Sequence, residues 1–135
     1  FVAGVGTGGT LTGTGEYLKA QKQDIHIVAV EPADSPVLSQ GKGGAHTIQG
    51  IGAGFIPKVL NPSIYDSVFP VEGEYAFQAA KKLAKTEGIL VGISSGAALY
   101  AGIELAKKEE NKNKTIVVLL PDSADRYYST ALFQD

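Results

Sequence analysis

The sequence predicts an α/β fold: a three-layer, open, mostly parallel sheet with helices on both faces. Three observations carry that expectation. Apolar, β-branched runs alternate with helical patterns along the chain, the first strand opens into a glycine cluster and then a helix, and the connections are short enough for right-handed crossovers. A chain of 135 residues with 44% hydrophobic content buries one sizeable core and is too short for two ordinary domains.

Phe1 to Val5 reads as a strand, the glycines after it as a loop, and Thr10 as the N-cap of a helix over Leu11 to Gln21 that tolerates Gly13 and Gly15. Ile25 to Val30 supplies the next strand and completes a βαβ unit. From Pro32 to Pro62, dense glycine and proline predict mostly loop, with apolar weight only at Val37-Leu38 and Ile48 to Ile56; a loop this long in a compact domain is usually functional. A strand follows at Ser67 to Val71, then a helix at Glu74 to Thr86 with Ala76, Ala79, Ala80, Leu83 and Ala84 on one face and Gly88 at its end. Ile89 to Ile93 reads as a short strand, Ser94-Ser95-Gly96 as a turn, and Ala97 to Lys108 as a helix with Lys107 and Lys108 near its negative end. Glu109 to Lys114 is a solvated connection, and Thr115 to Leu120 gives the strongest central-strand signal of the chain.

A net charge of -2 with scattered Lys and Arg offers no basic stripe, so nucleic acid is not an expected partner. Without cysteine there is neither a disulfide framework nor a thiolate metal site, and His26 and His46 are too few and too far apart for a metal centre; surface roles are expected for both. The apolar run Ile116 to Leu120 is far too short to span a bilayer. These features fit a soluble, cytoplasmic protein without membrane contact. Phe1-Val2-Ala3-Gly4-Val5 is neither an initiator methionine nor a charged leader and reads as a chain joined in mid-strand, so upstream residues are expected to be missing.

Two motifs carry chemistry. Gly4-x-Gly6-x-x-Gly9 after a strand, with Glu31 ending the next strand, suits a dinucleotide-binding Rossmann domain in which the acid holds a ribose hydroxyl. Gly6-Thr7-Gly8-Gly9-Thr10 goes beyond that pattern: consecutive backbone N–H groups and two hydroxyls at a helix N-terminus form a cup for one phosphate monoester. The Gly-Lys-Ser/Thr of a nucleotide-hydrolysing loop is missing, and the bland alternative is a glycine turn without a ligand. Gly92-x-Ser94-x-Gly96 matches a hydrolase elbow, yet both histidines precede Ser94 and none follows it, against the order those enzymes use. Ser94 and Ser95 are equally open to helix N-capping or a ligand role. Asp122 and Asp125 with Arg126 are expected to form a structural ion pair. Loop and serine turn both fall at the C-terminal ends of predicted parallel strands, where one site can use both. A coenzyme with a phosphate at one end and a polar ring atom at the other, such as pyridoxal phosphate, makes that demand.

Four blocks in register, Gly6 to Gly13, Val30 to Pro32, Ile48 to Pro57 and Gly92 to Ala98, resemble the cysteine synthase (O-acetylserine sulfhydrylase) family of fold-type-II pyridoxal-phosphate enzymes. The resemblance covers nearly the whole chain. It implies a tryptophan-synthase-β-like arrangement in which residues 1–135 form the C-terminal part of the coenzyme-binding α/β domain. It further implies that Gly6, Thr7, Gly8, Gly9 and Thr10 hold the coenzyme phosphate, that Ser94 hydrogen-bonds the pyridine nitrogen, and that Gly50 borders the coenzyme on the substrate side. A neutral serine leaves the ring unprotonated and a weaker electron sink, which suits loss of a good leaving group. The implied reaction replaces the acetate of O-acetylserine by sulfide to give L-cysteine. Cystathionine β-synthase and serine/threonine dehydratase of the same fold are the enzyme alternatives, and a binding-only homologue is a further one. The family also implies a homodimer and the C-terminal tail of serine acetyltransferase as a partner. Ala124-Asp125 departs from the usual Gly-Glu before Arg-Tyr, and Gln40 to Gly44 from the usual loop, which bears on the substrate. The family's Schiff-base lysine lies in an N-terminal motif with no counterpart here, so no catalytic residue is assigned and this chain alone is expected to be inactive.

Overall fold

A computed structural model describes residues 1–134. Strand β1 (Val2–Gly4) leads into α1 (Gly9–Gln21), β2 (Val28–Pro32), the short α2 (Val37–Gln40), β3 (Ser67–Val71), α3 (Gly73–Glu87) and α4 (Ile93–Ala106), with single 3₁₀ turns at Glu109–Asn111, Ala124–Tyr127 and Ala131–Phe133. The three strands pair in parallel in the order β1-β2-β3, with Val2 opposite Val28 and Val28 opposite Ser67.

Side-chain alternation in these strands builds two cores, one on each face. Val2, Val28 and Val30 point to the face covered by α3 and α4, where Ala76, Ala80, Ala97 and Ala101 pack against them. Ala3 and Ala29 point the other way, against Leu11 of α1, Ile27 and Leu60. Both faces of a parallel sheet are thus covered, as the alternation of strand and helix predicts.

Most expected elements recur at their expected places: β3 has the predicted bounds, and α3 ends on Gly88, whose positive φ of 68° lets its N–H reach Ala84 O at 3.1 Å. Three differ. The helix after the glycine loop starts at Gly9 with Gly8 as cap, so Thr10 lies in its first turn; Thr7 Oγ1 instead accepts from Gly9 N–H at 3.3 Å. The expected strand Ile89 to Ile93 is not a strand: Val91 forms one antiparallel bridge with Ser123, Ile89 and Leu90 are exposed, and Ile93 already opens α4. A short apolar run reads alike for a buried strand and a buried helical turn, and here Gly92 hands it to the helix. Thr115 to Leu120 runs beside β1, with Val2 N–H donating to Val117 O at 2.9 Å and Leu119 N–H to Val2 O at 3.0 Å, but makes only the Val2–Val118 bridge because β1 is three residues long. No helix among the described residues is long and apolar enough to cross a membrane.

Candidate functional site

The chain leaves β1 through Gly4 and Val5 and turns at Gly8, whose φ of 87° is a left-handed conformation that suits glycine. A β-carbon there would also lie 2.6 Å from Leu60 Cβ, so the loop is seated tightly on the 57–64 segment. The first intrahelical bond, Thr12 N–H to Gly8 O at 3.0 Å, closes after the turn, and the amides at the start of α1 face outward with the positive end of the helix dipole behind them. Thr7 and Thr10 are exposed at the mouth.

A second loop, 46–54, abuts the first. Gly52 N–H donates to Val5 O at 3.1 Å, and a β-carbon on Gly6 would stand 2.6 Å from Gly50 O. This loop is wound around His46: Ile48 N–H donates to Nδ1 at 3.1 Å, which leaves the ring proton on Nε2, 2.8 Å from Gly52 O. His46, half-buried, is therefore a loop clamp, a role beyond the surface one expected of it. His26 does keep a surface role, bonded to Ser67 Oγ at 2.9 Å. Gly50 has a φ of 97°, and a β-carbon on it would reach to 3.4 Å from Ser94 Oγ. The structure thus brings together the glycine loop, Gly50 and Ser94, three features far apart in sequence.

Ser94 and Ser95 both lie inside the first turn of α4, whose cap is Gly92 and which carries no side-chain cap bond; neither serine is the N-cap. Their environments differ. Ser95 Oγ donates to Asp122 Oδ1 at 2.7 Å and accepts from Asp122 N–H at 3.3 Å. Ser94 is 5% exposed, and its hydroxyl has no hydrogen bond among the described residues, which leaves it free to meet a ligand.

The ion pair expected among Asp122, Asp125 and Arg126 is absent among the described residues. Asp122 instead accepts from Ser95 and, at 2.5 Å, from Tyr127 O–H, while Asp125 and Arg126 face solvent. Burial, followed by the bond to the Asp122 carboxylate and its charge, pushes the Tyr127 phenol up to about 12. Glu31 is 2% exposed, and its carboxylate accepts from Leu38 N–H at 2.7 Å, Ser39 N–H at 3.0 Å and Ser39 Oγ at 2.5 Å. The acid that would hold a ribose in a dinucleotide domain is occupied in capping α2. No group of three or more His, Cys, Asp or Glu side chains among the described residues can hold a metal ion.

A parallel α/β sheet with a lysine-free glycine-threonine loop at one strand end, and on a neighbouring helix N-terminus a serine hydroxyl without a partner among the described residues, suits a coenzyme of the pyridoxal-phosphate class. The chain belongs to the pyridoxal-phosphate dependent enzyme family, whose model matches residues 1–122. It is 56% identical to a cysteine synthase of Staphylococcus aureus over 98% of its own length and 43% of that relative's. Among solved structures, a cysteine synthase of Entamoeba histolytica superposes with a TM-score of 0.97 at 46% identity over 99% of this chain and 40% of that one. A hydrogen sulfide-producing enzyme of Fusobacterium nucleatum gives 0.92 at 41% identity over 100% of this chain and 40% of that one. The chain thus spans less than half the length of the relatives it matches.

Proposed function

We propose that residues 1–135 form the C-terminal part of the coenzyme-binding domain of a cysteine synthase, a transferase that replaces the acetate of O-acetylserine by sulfide to give L-cysteine. The observation that supports this reading is the close approach of Gly6 to Gly50 and of Gly50 to Ser94, which leaves the glycine-threonine loop and the Ser94 hydroxyl on either side of one loop glycine. The residues fit pyridoxal phosphate at both ends. The tight seat of Gly6 and Gly8 leaves no room for side chains, so backbone amides line the cup, and Ser94, a buried residue, offers beside it an accessible hydroxyl without a partner among the described residues.

Pyridoxal phosphate, when bound, supplies the electron sink for β-replacement. The amides at Gly8 and Thr10, with the α1 dipole, would hold a phosphate dianion without a lysine, joined by the Gly9 amide once a phosphate oxygen replaces Thr7 Oγ1 as its acceptor, and the Thr7 and Thr10 hydroxyls would add donors. Ser94 Oγ–H donates to the ring nitrogen and, being neutral, leaves that nitrogen unprotonated. Gly50, lacking a side chain, keeps the substrate side open. No lysine from Lys19 to Lys114 lies in this cluster's motifs, so the lysine that bonds the coenzyme belongs to the remainder of the protein and this chain alone is inactive. In the same reading the protein is a cytoplasmic homodimer whose partners include the C-terminal tail of serine acetyltransferase.

The test is borohydride reduction of the full-length protein followed by peptide mapping, beside Ser94→Ala. A pyridoxyl adduct on a lysine outside residues 1–135, and an altered absorption spectrum of the bound coenzyme in Ser94→Ala, are expected. An adduct on any lysine from Lys19 to Lys114, or loss of NAD binding on substitution of Ser94, would sink the assignment.

A further inference from the structure

We propose that Asp122 is a positioning residue for Ser94: by tying down the first turn of α4 on both sides of that serine, it holds the Ser94 Cα–Cβ bond in place and so keeps the hydroxyl within reach of the site. The proposal rests on the reading of Ser94 as the ligand of the ring nitrogen. Asp122 follows the segment beside β1 and sits under the start of α4, where it uses backbone and side chain together. Gly92 N–H donates to Asp122 O at 3.3 Å, two residues before Ser94. Ser95 Oγ donates to Asp122 Oδ1 at 2.7 Å and receives Asp122 N–H at 3.3 Å, one residue after it. The carboxylate is so close to Gly92 that a β-carbon there would collide with both of its oxygens.

This turn needs an outside anchor. Glycines at 92 and 96 flank the two serines and resist no backbone rotation of their own, and the cap residue supplies no side chain. Ser94 Oγ has no hydrogen bond among the described residues, so where its hydroxyl can reach depends on how the helix backbone places its Cα–Cβ bond. Asp122 is held in turn: Tyr127 O–H donates to Oδ2 at 2.5 Å. A negative charge beneath a helix N-terminus is also favoured by the α4 dipole.

The test is a double-mutant cycle in the full-length holoprotein with Asp122→Ala, Ser94→Ala and both, read as the dissociation constant of pyridoxal phosphate and the absorption maximum of the bound coenzyme. Asp122→Ala is expected to raise that constant by about two- to tenfold, the worth of one net hydrogen bond, and to shift the absorption in the direction of Ser94→Ala. In the Ser94→Ala background the second substitution should add less than about twofold. Asp122→Asn should recover most of the loss, because its amide can donate to Ser95 Oγ while its carbonyl accepts from Tyr127. Should Asp122→Ala not fold, Tyr127→Phe carries the same test with a smaller shift of the same sign. A changed spectrum for Ser94→Ala beside an unchanged one for the Asp122 and Tyr127 variants, or effects that simply add, would overturn this proposal alone. An unchanged spectrum for Ser94→Ala would overturn the ring-nitrogen assignment and this proposal with it.

Discussion

A β-carbon built on Gly50 would stand 3.4 Å from the hydroxyl oxygen of Ser94, so a loop glycine and a helical serine share one wall of the site. Gly50 also holds a φ of 97°, where an L side chain is strained by about 1–2 kcal/mol. Gly50→Ala is therefore expected to lower stability by that amount and to weaken coenzyme binding, measured by urea unfolding and by titration with pyridoxal phosphate. Wild-type behaviour on both counts would remove Gly50 from the site.

The glycines of the loop after β1 are not equivalent. Gly8→Ala meets Leu60 Cβ at 2.6 Å with a φ of 87°, and should cost more than about 2 kcal/mol through overpacking and backbone strain together. Gly9→Ala finds its nearest neighbour, Thr7 Oγ1, at 3.5 Å and should fold normally. Adding Leu60→Ala to Gly8→Ala should relieve neither the overlap nor the strain, because alanine keeps the β-carbon and the Leu60 Cα and N stand 2.9 and 3.1 Å away. Equal melting temperatures for the two single variants would contradict this seating of the loop.

Glu31→Ala strips a buried carboxylate from two backbone amides and the Ser39 hydroxyl at the start of α2. The expected loss is about 2–4 kcal/mol, since buried donors left without partners cost about 1–3 kcal/mol each and water recovers part. A variant that kept its stability and lost affinity for a nicotinamide dinucleotide would restore the Rossmann reading.

The α/β class and the glycine loop before α1 were legible because both are written locally, in alternation within strands such as Val28-Ala29-Val30 and in five consecutive small residues after β1. The departures share a physical cause: they depend on neighbours distant in sequence. Ser95 is bound by Asp122, twenty-seven residues on, so no local pattern separates its role from that of Ser94. The imidazole of His46 clamps a loop, which nothing in its flanking residues announces except the dense glycines that leave the backbone to be held by something else. Thr115 to Leu120 has the composition of a central strand, yet its ladder is limited by the length of β1.

Asp66 joins α1 to the sheet, accepting from Lys19 Nζ at 2.7 Å and from the buried Ile27 N–H at 2.8 Å just before β3. Burial pushes its carboxyl up, but the Lys19 bond, the Ile27 amide and the charges of Lys19 and His26 outweigh that and hold it below its usual value of 3.8. A carboxyl whose pKa is lower in the folded than in the unfolded chain binds fewer protons when folded. Its stabilisation is therefore complete above the unfolded value and disappears as pH falls through the folded one. Asp66→Ala should cost about 1–2 kcal/mol at neutral pH, mostly from the orphaned Ile27 N–H. Lys19→Met should cost under about 1 kcal/mol, because the pair is partly exposed and screened by salt. Urea unfolding of wild type and Asp66→Ala across an acid titration checks the sign: the gap between them should close only below the ordinary carboxylate range, and a gap that widened with acid would show that Asp66 is stabilised in its protonated form.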